Sequence, residues 1–394
     1  MRRYSTFSML VAVAALGGSA VVGAQDARVR RQERIVIPHE LILELQKLAR
    51  EAFGEDAFRN LSRELGRAMR DITLELGHYS VRSEGGAAVQ DRDFRAEQTD
   101  KQTRTLAIGA SGALELKNVV GNITVKAGGP REATVEIVRV SRGRTDADAK
   151  LGLERVTSEV TTRADGASVH ANYPDDRRPP YSVSVSYNVT APAGTRLNVH
   201  SITGDVTITG IKGEMEAFTV AGALEISQAG AIESARTVTG NLTISDVQSD
   251  SAIETGTMSG SVRLSNIKAK RLIVGAVAGA ISAREIQAAG AEVNCMSGSI
   301  EYSGAVSASG RYEFQSHSGE IRLGLTGNFD FEGRSFGGQI DADPALGLKV
   351  PAAAGKAGVG RLRQSSLKGT IGTGGAFVEA TTFSGQIWIG RKLK

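Results

Sequence analysis

The sequence predicts an all-β chain: a parallel β-solenoid with coils of about 19 residues, preceded by a short helical region and a signal peptide. Three observations lead there. First, the phrase small–large–small–Gly–any–aliphatic–any–aliphatic recurs, as in Thr219-Val220-Ala221-Gly222-Ala223-Leu224-Glu225-Ile226 and Thr237-Val238-Thr239-Gly240-Asn241-Leu242-Thr243-Ile244. From Gly204 through Gly222, Gly240, Gly260, Gly279, Gly298 and Gly319 to Gly338 the steps are 18, 18, 20, 19, 19, 21 and 19 residues, with further copies at Gly385 and, degraded, at Gly369. So steady a period marks stacked coils rather than one globular core. Second, with the glycine as position zero, positions +2 and +4 are aliphatic (Val206/Ile208, Leu224/Ile226, Leu242/Ile244, Val262/Leu264, Ile321/Leu323). Side chains alternate across a strand, so both face the interior, while the small or polar +1 residues face outward. Third, glycine reaches 47 residues and aromatics only 5%, which suits thin aliphatic strands joined by tight corners.

The elements follow in chain order. Residues 1–24 read as a signal peptide: Arg2 and Arg3, an apolar run from Phe7 to Leu16, and the small-residue site Val22-Gly23-Ala24. Residues 25–38 form a basic flexible segment with Arg28, Arg30, Arg31 and Arg34. Residues 39–77 are helical by spacing, with Leu41, Leu45, Leu48 and Ala52, then Phe58, Leu61, Leu65, Ala68 and Ile72. Residues 78–104 lose periodicity and read as a linker. Residues 105–200 form an N-terminal β region of the solenoid, with period-2 stretches at Ala113–Leu116, Gly121–Val125, Ala133–Val140, Ala167–Ala171 and Tyr181–Thr190. A charged helix is expected within 145–160. Residues 201–394 carry the regular repeats, with an insertion near 343–365.

Composition bounds the function. Removing Arg2 and Arg3 with the signal lowers the formal charge from +4 to +2, too near balance for a nucleic-acid footprint. One cysteine allows no internal disulfide. The five histidines share no metal spacing, and neither HExxH nor a calcium nonapeptide occurs. The sequence therefore assigns no catalytic, cofactor-binding or metal residues.

Single residues that invite chemistry have plainer readings. Cys295 falls at position −3, a column of small residues that includes Thr219, Thr237, Thr257, Ala276 and Ser316. His317 is the polar member of the otherwise apolar −2 column. The acid pairs Asp146/Asp148, Asp175/Asp176 and Asp341/Asp343 read as solvated loops. Asn122-Ile123-Thr124 and Asn241-Leu242-Thr243 match a glycosylation signal that the repeat itself generates. Position +3 faces outward, and stacking in sequence order places Arg322 between Glu301 and Asp341 as an exposed charge ladder. Trp388, also at +3, is expected to cover the open end of the stack.

The Ala191-Pro192-Ala193-Gly194-Thr195 turn, the following Thr203-Gly204-Asp205-Val206-Thr207-Ile208 and the ordered repeats after it resemble a bacterial β-strand-repeat family labelled "putative adhesin", a domain of unknown function in exported cell-envelope proteins. The resemblance covers about Thr105 to Lys394. It implies an exported, non-enzymatic solenoid, adhesin-like or a scaffold, in the periplasm, on the cell surface or secreted. Its partner is an unidentified envelope protein or surface glycan, with membrane contact through the N-terminal region. Two alternatives stay open: a regulatory or sensory envelope protein acting through the 39–77 helices, and a polysaccharide-active β-helix enzyme. The latter needs clustered Asp, Arg or Lys on one sheet face.

Overall fold

The computed structural model describes residues 94–163, 165–174, 179–348 and 365–393. The signal peptide, the basic segment, the 39–77 helices and most of the linker lie outside the described residues, as does most of the 343–365 insertion. What is described is all-β, in one large sheet of mixed strand orientation.

The repeats pair coil on coil, in parallel and in register. Leu224 lies between Val206 and Leu242, and Ile226 between Ile208 and Ile244. Ile244 in turn lies beside Leu264, and Leu264 beside Ala283. These side chains are at most 2% exposed, so the +2 and +4 columns form a continuous apolar interior. The preceding strand of each coil adds a second inward set, such as Leu272, Val274 and Ala276.

The glycines form a spine. A Cβ on Gly222 would lie 2.1 Å from the carbonyl oxygen of Gly204, one on Gly240 would lie 2.0 Å from that of Gly222, and one on Gly260 would lie 2.0 Å from that of Gly240. No carbon tolerates that approach. The backbone there also sits at φ of +154°, +152° and +143°, a region closed to L side chains. The chain bends at this point because each corner rests directly on the carbonyl of the coil beside it.

Position −3 completes the corner. Thr237 Oγ1 donates to the Gly222 carbonyl at 3.1 Å, Thr257 Oγ1 to that of Gly240 at 3.1 Å, and Ser335 Oγ to that of Gly385 at 2.9 Å. At these rungs the buried hydroxyl of one coil satisfies the bent carbonyl of its neighbour, while Ser201, Ser316 and Ala276 fill the same column by size alone. Position +1 does the same for amides: Asn122 Oδ1 accepts from the Asp205 N–H at 3.0 Å, Asp205 Oδ1 from that of Ala223 at 2.8 Å, and Asn241 Oδ1 from that of Ser261 at 3.0 Å.

A second corner lies at +6. Gln228, Asp246, Asn266 and Glu285 hold left-handed backbone at φ of 52–56°, in the column that Gly210 begins. Each costs about 1 kcal/mol of backbone strain. The next residue in each coil (Ile211, Ala229, Val247, Ile267, Ile286) turns inward and is buried, which offsets it.

Both ends of the ladder depart from sequence order. Gly121 stacks beside Gly204, 83 positions on, because residues 128–195 turn back to the outer side of the Gly121 coil: Gly166–Asn172 and Tyr181–Ala191 lie parallel to Ala113–Val120 and Ile123–Ala127, and an antiparallel cap closes them. In it Ala96–Ala107 pairs with Glu132–Gly143, which pairs with Tyr181–Ala191, while Thr157–Arg163 pairs with Gly166–Asn172. The 105–200 region is therefore part coil and part antiparallel cap. Residues 96–104, read as linker, are edge strand: their polar side chains carry no apolar period, but an edge strand needs none. The expected helix is Asp146–Arg155, capped by Thr145 and Asp148 in a reciprocal box, and strand resumes at Thr157.

At the other end, Ala376–Ser384 and Ile387–Gly390 insert between the Gly319 and Gly338 coils. Arg322 consequently pairs with Trp388, and Trp388 with Asp341. The expected Glu301–Arg322–Asp341 ladder is broken, and Trp388 lies inside the stack rather than over its end. Gly369 is no coil corner either: it sits in Ser365–Ile371, antiparallel to Phe329–Ser335 and opposite Phe331. Equivalent repeats share one edge geometry, so spacing alone does not reveal their order in space.

Within the N-terminal cap Arg139 ties three elements together. Its guanidinium donates to the carbonyls of Leu153 at 3.0 Å and Val156 at 2.8 Å, closing the helix end, and to the Asp100 carboxylate on the edge strand. That hydrogen bond and charge hold the Asp100 carboxyl below its ordinary 3.8. A carboxyl with a depressed folded pKa contributes stability above its unfolded value and loses it as pH falls through the folded one.

Two predictions follow from these packings. Gly260→Ala should cost at least about 3 kcal/mol, from φ strain plus overlap with a fixed carbonyl, whereas Gly347→Ala, with open space around its Cβ at φ of 66°, should cost about 1 kcal/mol; urea melts of both variants check the difference. Arg139→Ala should lose about 2 kcal/mol at pH 7, and its deficit against wild type should shrink as the pH drops from 5 towards 2, read from denaturant midpoints across that range.

Candidate interaction face

Two outward columns run along the strand that precedes each glycine, at positions −6 and −2.

The −2 column is apolar. Val220, Val238, Met258, Val277 and Met296 are each half-buried, and the column ends on His317, Phe383 and Phe336. Phe383 is 56% and Phe336 42% exposed. The His317 and Phe383 rings stack with centroids 5.1 Å apart and planes within 1°, and Phe336 lies 5.9 Å from Phe383. The C-terminal insertion creates this cluster, because it brings residue 383 between residues 317 and 336. His317 thus has a ring partner on an exposed ridge, and nothing about it marks a metal ligand.

The −6 column is acidic over its last four coils. Glu292, Glu313, Glu379 and Glu332 occupy successive coils in direct register. Four carboxylates stacked at strand spacing repel one another unless cations intervene. Arg271 meets Glu292 at 2.9 Å, Arg334 meets Glu379 at 3.4 Å and Glu332, Arg311 meets Glu313, and Lys368 meets Glu332 at 2.8 Å. Lys368 and then Arg334 hold the Glu332 carboxyl below the usual range. The sequence reading did not find this ladder, since its members lie on the weaker strand of each coil and two of them come together only through the C-terminal insertion. The clustered charge that a polysaccharide-cleaving face requires is present in part, but here it is spent in acid–base pairs. Among the described residues no group of three His, Cys, Asp or Glu is placed to hold a metal ion.

The other candidates resolve individually. Cys295 is buried, and its thiol donates to the Gly279 carbonyl at 3.4 Å, as the hydroxyls of Thr237 and Thr257 do to theirs. Burial pushes that thiol up to about 11. Asp148 serves the helix cap, and Asp343 accepts from the Ala345 amide at 2.9 Å. Asp175 and Asp176 lie outside the described residues. The side-chain oxygens of Asn122 and Asn241 are engaged in the +1 ladder described above. His200 lies against Phe218, with ring centroids 6.2 Å apart. No described helix is long and apolar enough to cross a membrane.

Residues 109–389 match the model of the family described as Toastrack DUF4097. No curated protein matches the chain. Similar solved structures include a "putative cell adhesion protein" from Clostridium sporogenes, at 8% identity over 74% of this chain and 99% of that one, with a TM-score of 0.27. Two others are each called a "putative adhesin". The one from Bacteroides fragilis is 12% identical over 74% of this chain and 97% of its own, and the one from Parabacteroides distasonis is 10% identical over the same shares; both have a TM-score of 0.32.

The burial of Cys295 makes a direct prediction. The native thiol should resist alkylation at pH 8 and react at least about tenfold faster once unfolded, while Cys295→Ser should change stability by less than about 1 kcal/mol, both measurable by mass spectrometry and urea melts.

Proposed function

This chain belongs to the Toastrack DUF4097 family, and on that premise we propose that it is an exported, non-enzymatic envelope protein, adhesin-like or a scaffold, whose β-solenoid binds its partner through the outward sheet face. The observation that carries the reading is the −2 ridge: an apolar column that continues from coil to coil and ends in three stacked, exposed rings. Large exposed aromatics on a surface otherwise rich in ion pairs are characteristic of binding sites, where anchors in the middle of charged surroundings supply most of the affinity. The acidic column beside the ridge is neutralised residue by residue, which leaves it suited to setting orientation. A ladder of equivalent rungs offers an extended surface without a deep pocket, the usual geometry of repeat proteins that bind along their length.

The leader-like start and the export that the family resemblance implies support an extracytoplasmic location, with an envelope protein or surface glycan as the proposed partner. The test compares binding of the purified wild-type protein and a Phe336→Ser/Phe383→Ser variant to intact envelopes. The variant should keep its far-ultraviolet circular dichroism and its melting temperature within a few degrees, and should lose at least about tenfold in affinity. Equal binding by the two proteins would remove the ridge from the account, and turnover of a glycan by either would replace the reading with an enzymatic one.

A further inference from the structure

The C-terminal coil occupies a slot between two repeats that are neighbours in sequence. Gly319 and Gly338 are one repeat length apart, yet Gly385 lies between them: its Cβ would meet the Gly319 carbonyl at 2.0 Å, and a Cβ on Gly338 would meet the Gly385 carbonyl at 1.8 Å. The fit is complete on both sides. Thr382 Oγ1 donates to the Gly319 carbonyl at 3.3 Å, and Ser335 Oγ donates to that of Gly385 at 2.9 Å. Ile387 and Ile389 lie in register with Ile321 and Leu323 on one side and with Ile340 and Ala342 on the other. On the outer face Glu379 meets Arg311 at 3.9 Å below and Arg334 at 3.4 Å above, and Lys368 travels with the same segment to reach Glu332.

Both walls of this slot present the standard repeat edge, and the segment seated there carries Thr-x-x-Gly-x-Ile-x-Ile with an outer glutamate. A second copy of this chain carries such a segment, residues 365–390, with the complementary charges already in place. We infer that the slot is a strand-exchange site, filled either by the chain's own C-terminal coil or by that of a second copy. Exchange preserves every contact named above, because the same residues meet the same walls in either arrangement, and this is the condition under which swapped dimers form at little cost. The inference is independent of the binding ridge: it concerns how two copies join, and it stands or falls without reference to the envelope partner.

The experiment uses the full chain in a Cys295→Ser background with Gln315→Cys and Thr381→Cys, positions that face each other across the slot wall. Neighbouring strands lie about 4.8 Å apart, within reach of a disulfide. The protein is unfolded in urea with reductant, refolded over a hundredfold range of concentration, oxidised, and separated by size with light scattering and non-reducing gels. The expected result is an intrachain link in monomer at low concentration and, at high concentration, a dimer held by interchain links, its share rising at least threefold across the range. Trp388, the one tryptophan in the sequence, lies inside the slot segment and reports its seating; monomer and dimer should show the same emission. Absence of a dimer at every concentration, or a dimer whose links are all intrachain, overturns the inference. Where the double-cysteine chain does not regain native emission, the same series on the wild-type chain decides: a dimer that forms only on refolding and persists on hundredfold dilution supports exchange, and monomer throughout, or a dimer that forms from folded monomer on concentration alone, rejects it.

Discussion

The contact between each corner glycine and the carbonyl of the coil beside it is the constraint from which the rest of the structure follows. It fixes three things together. From Gly204 to Gly319 the strand must bend there through backbone angles that only glycine reaches. At most rungs the bent carbonyl finds a donor in the −3 side chain of the neighbouring coil, as at Thr237 and Thr257. The spacing between coils is then set by backbone contact rather than by side-chain size, so the +2 and +4 columns can mix Val, Leu, Ile, Ala and Tyr without disturbing the ladder. Where large rings do enter, as Tyr302 against Phe314 with centroids 5.0 Å apart, the coil is also the longest in the series, at 21 residues.

Polar satisfaction follows the same logic. Side chains of one coil serve backbone groups of the next at −3 and at +1, so each rung depends on its neighbour for hydrogen bonding as well as for apolar cover. Stability is then shared among nearest neighbours, as in other linear repeats. The ends have a neighbour on one side only, and both are closed by antiparallel strands: Ala96–Ala107 and Thr157–Arg163 at one end, Ser365–Ile371 at the other. An antiparallel cap ends the repeating edge and, with charged residues such as Lys101 and Arg104 on its outermost strand, discourages further growth.

Much of this was legible from residue pattern. The period located the corners, the +2 and +4 columns located the interior, and the company Cys295 keeps in its column located it at a corner. The reading of Arg322 and Trp388 went astray for a physical reason: the Gly338 and Gly385 repeats present the same edge, so spacing does not distinguish a chain that stacks in sequence order from one that threads its last coil between two earlier ones. Residues 96–104 were missed because an exposed edge strand has no buried face to impose alternation. The aromatic cluster and the acidic column lay beyond the pattern for a related reason. His317, Phe383 and Phe336 are unremarkable one at a time, and only the threaded order makes them adjacent.

The second corner, with its left-handed Gln228, Asp246, Asn266 and Glu285, carries a different consequence. Side chains there are freed from any role in closing the bend, because the backbone accepts non-glycine residues at a modest energetic cost. One margin of the molecule is thereby held constant by geometry while the opposite margin can change its chemistry from rung to rung. Evolution can rewrite that permissive margin, or lengthen the array by whole rungs, without touching the register that makes it fold.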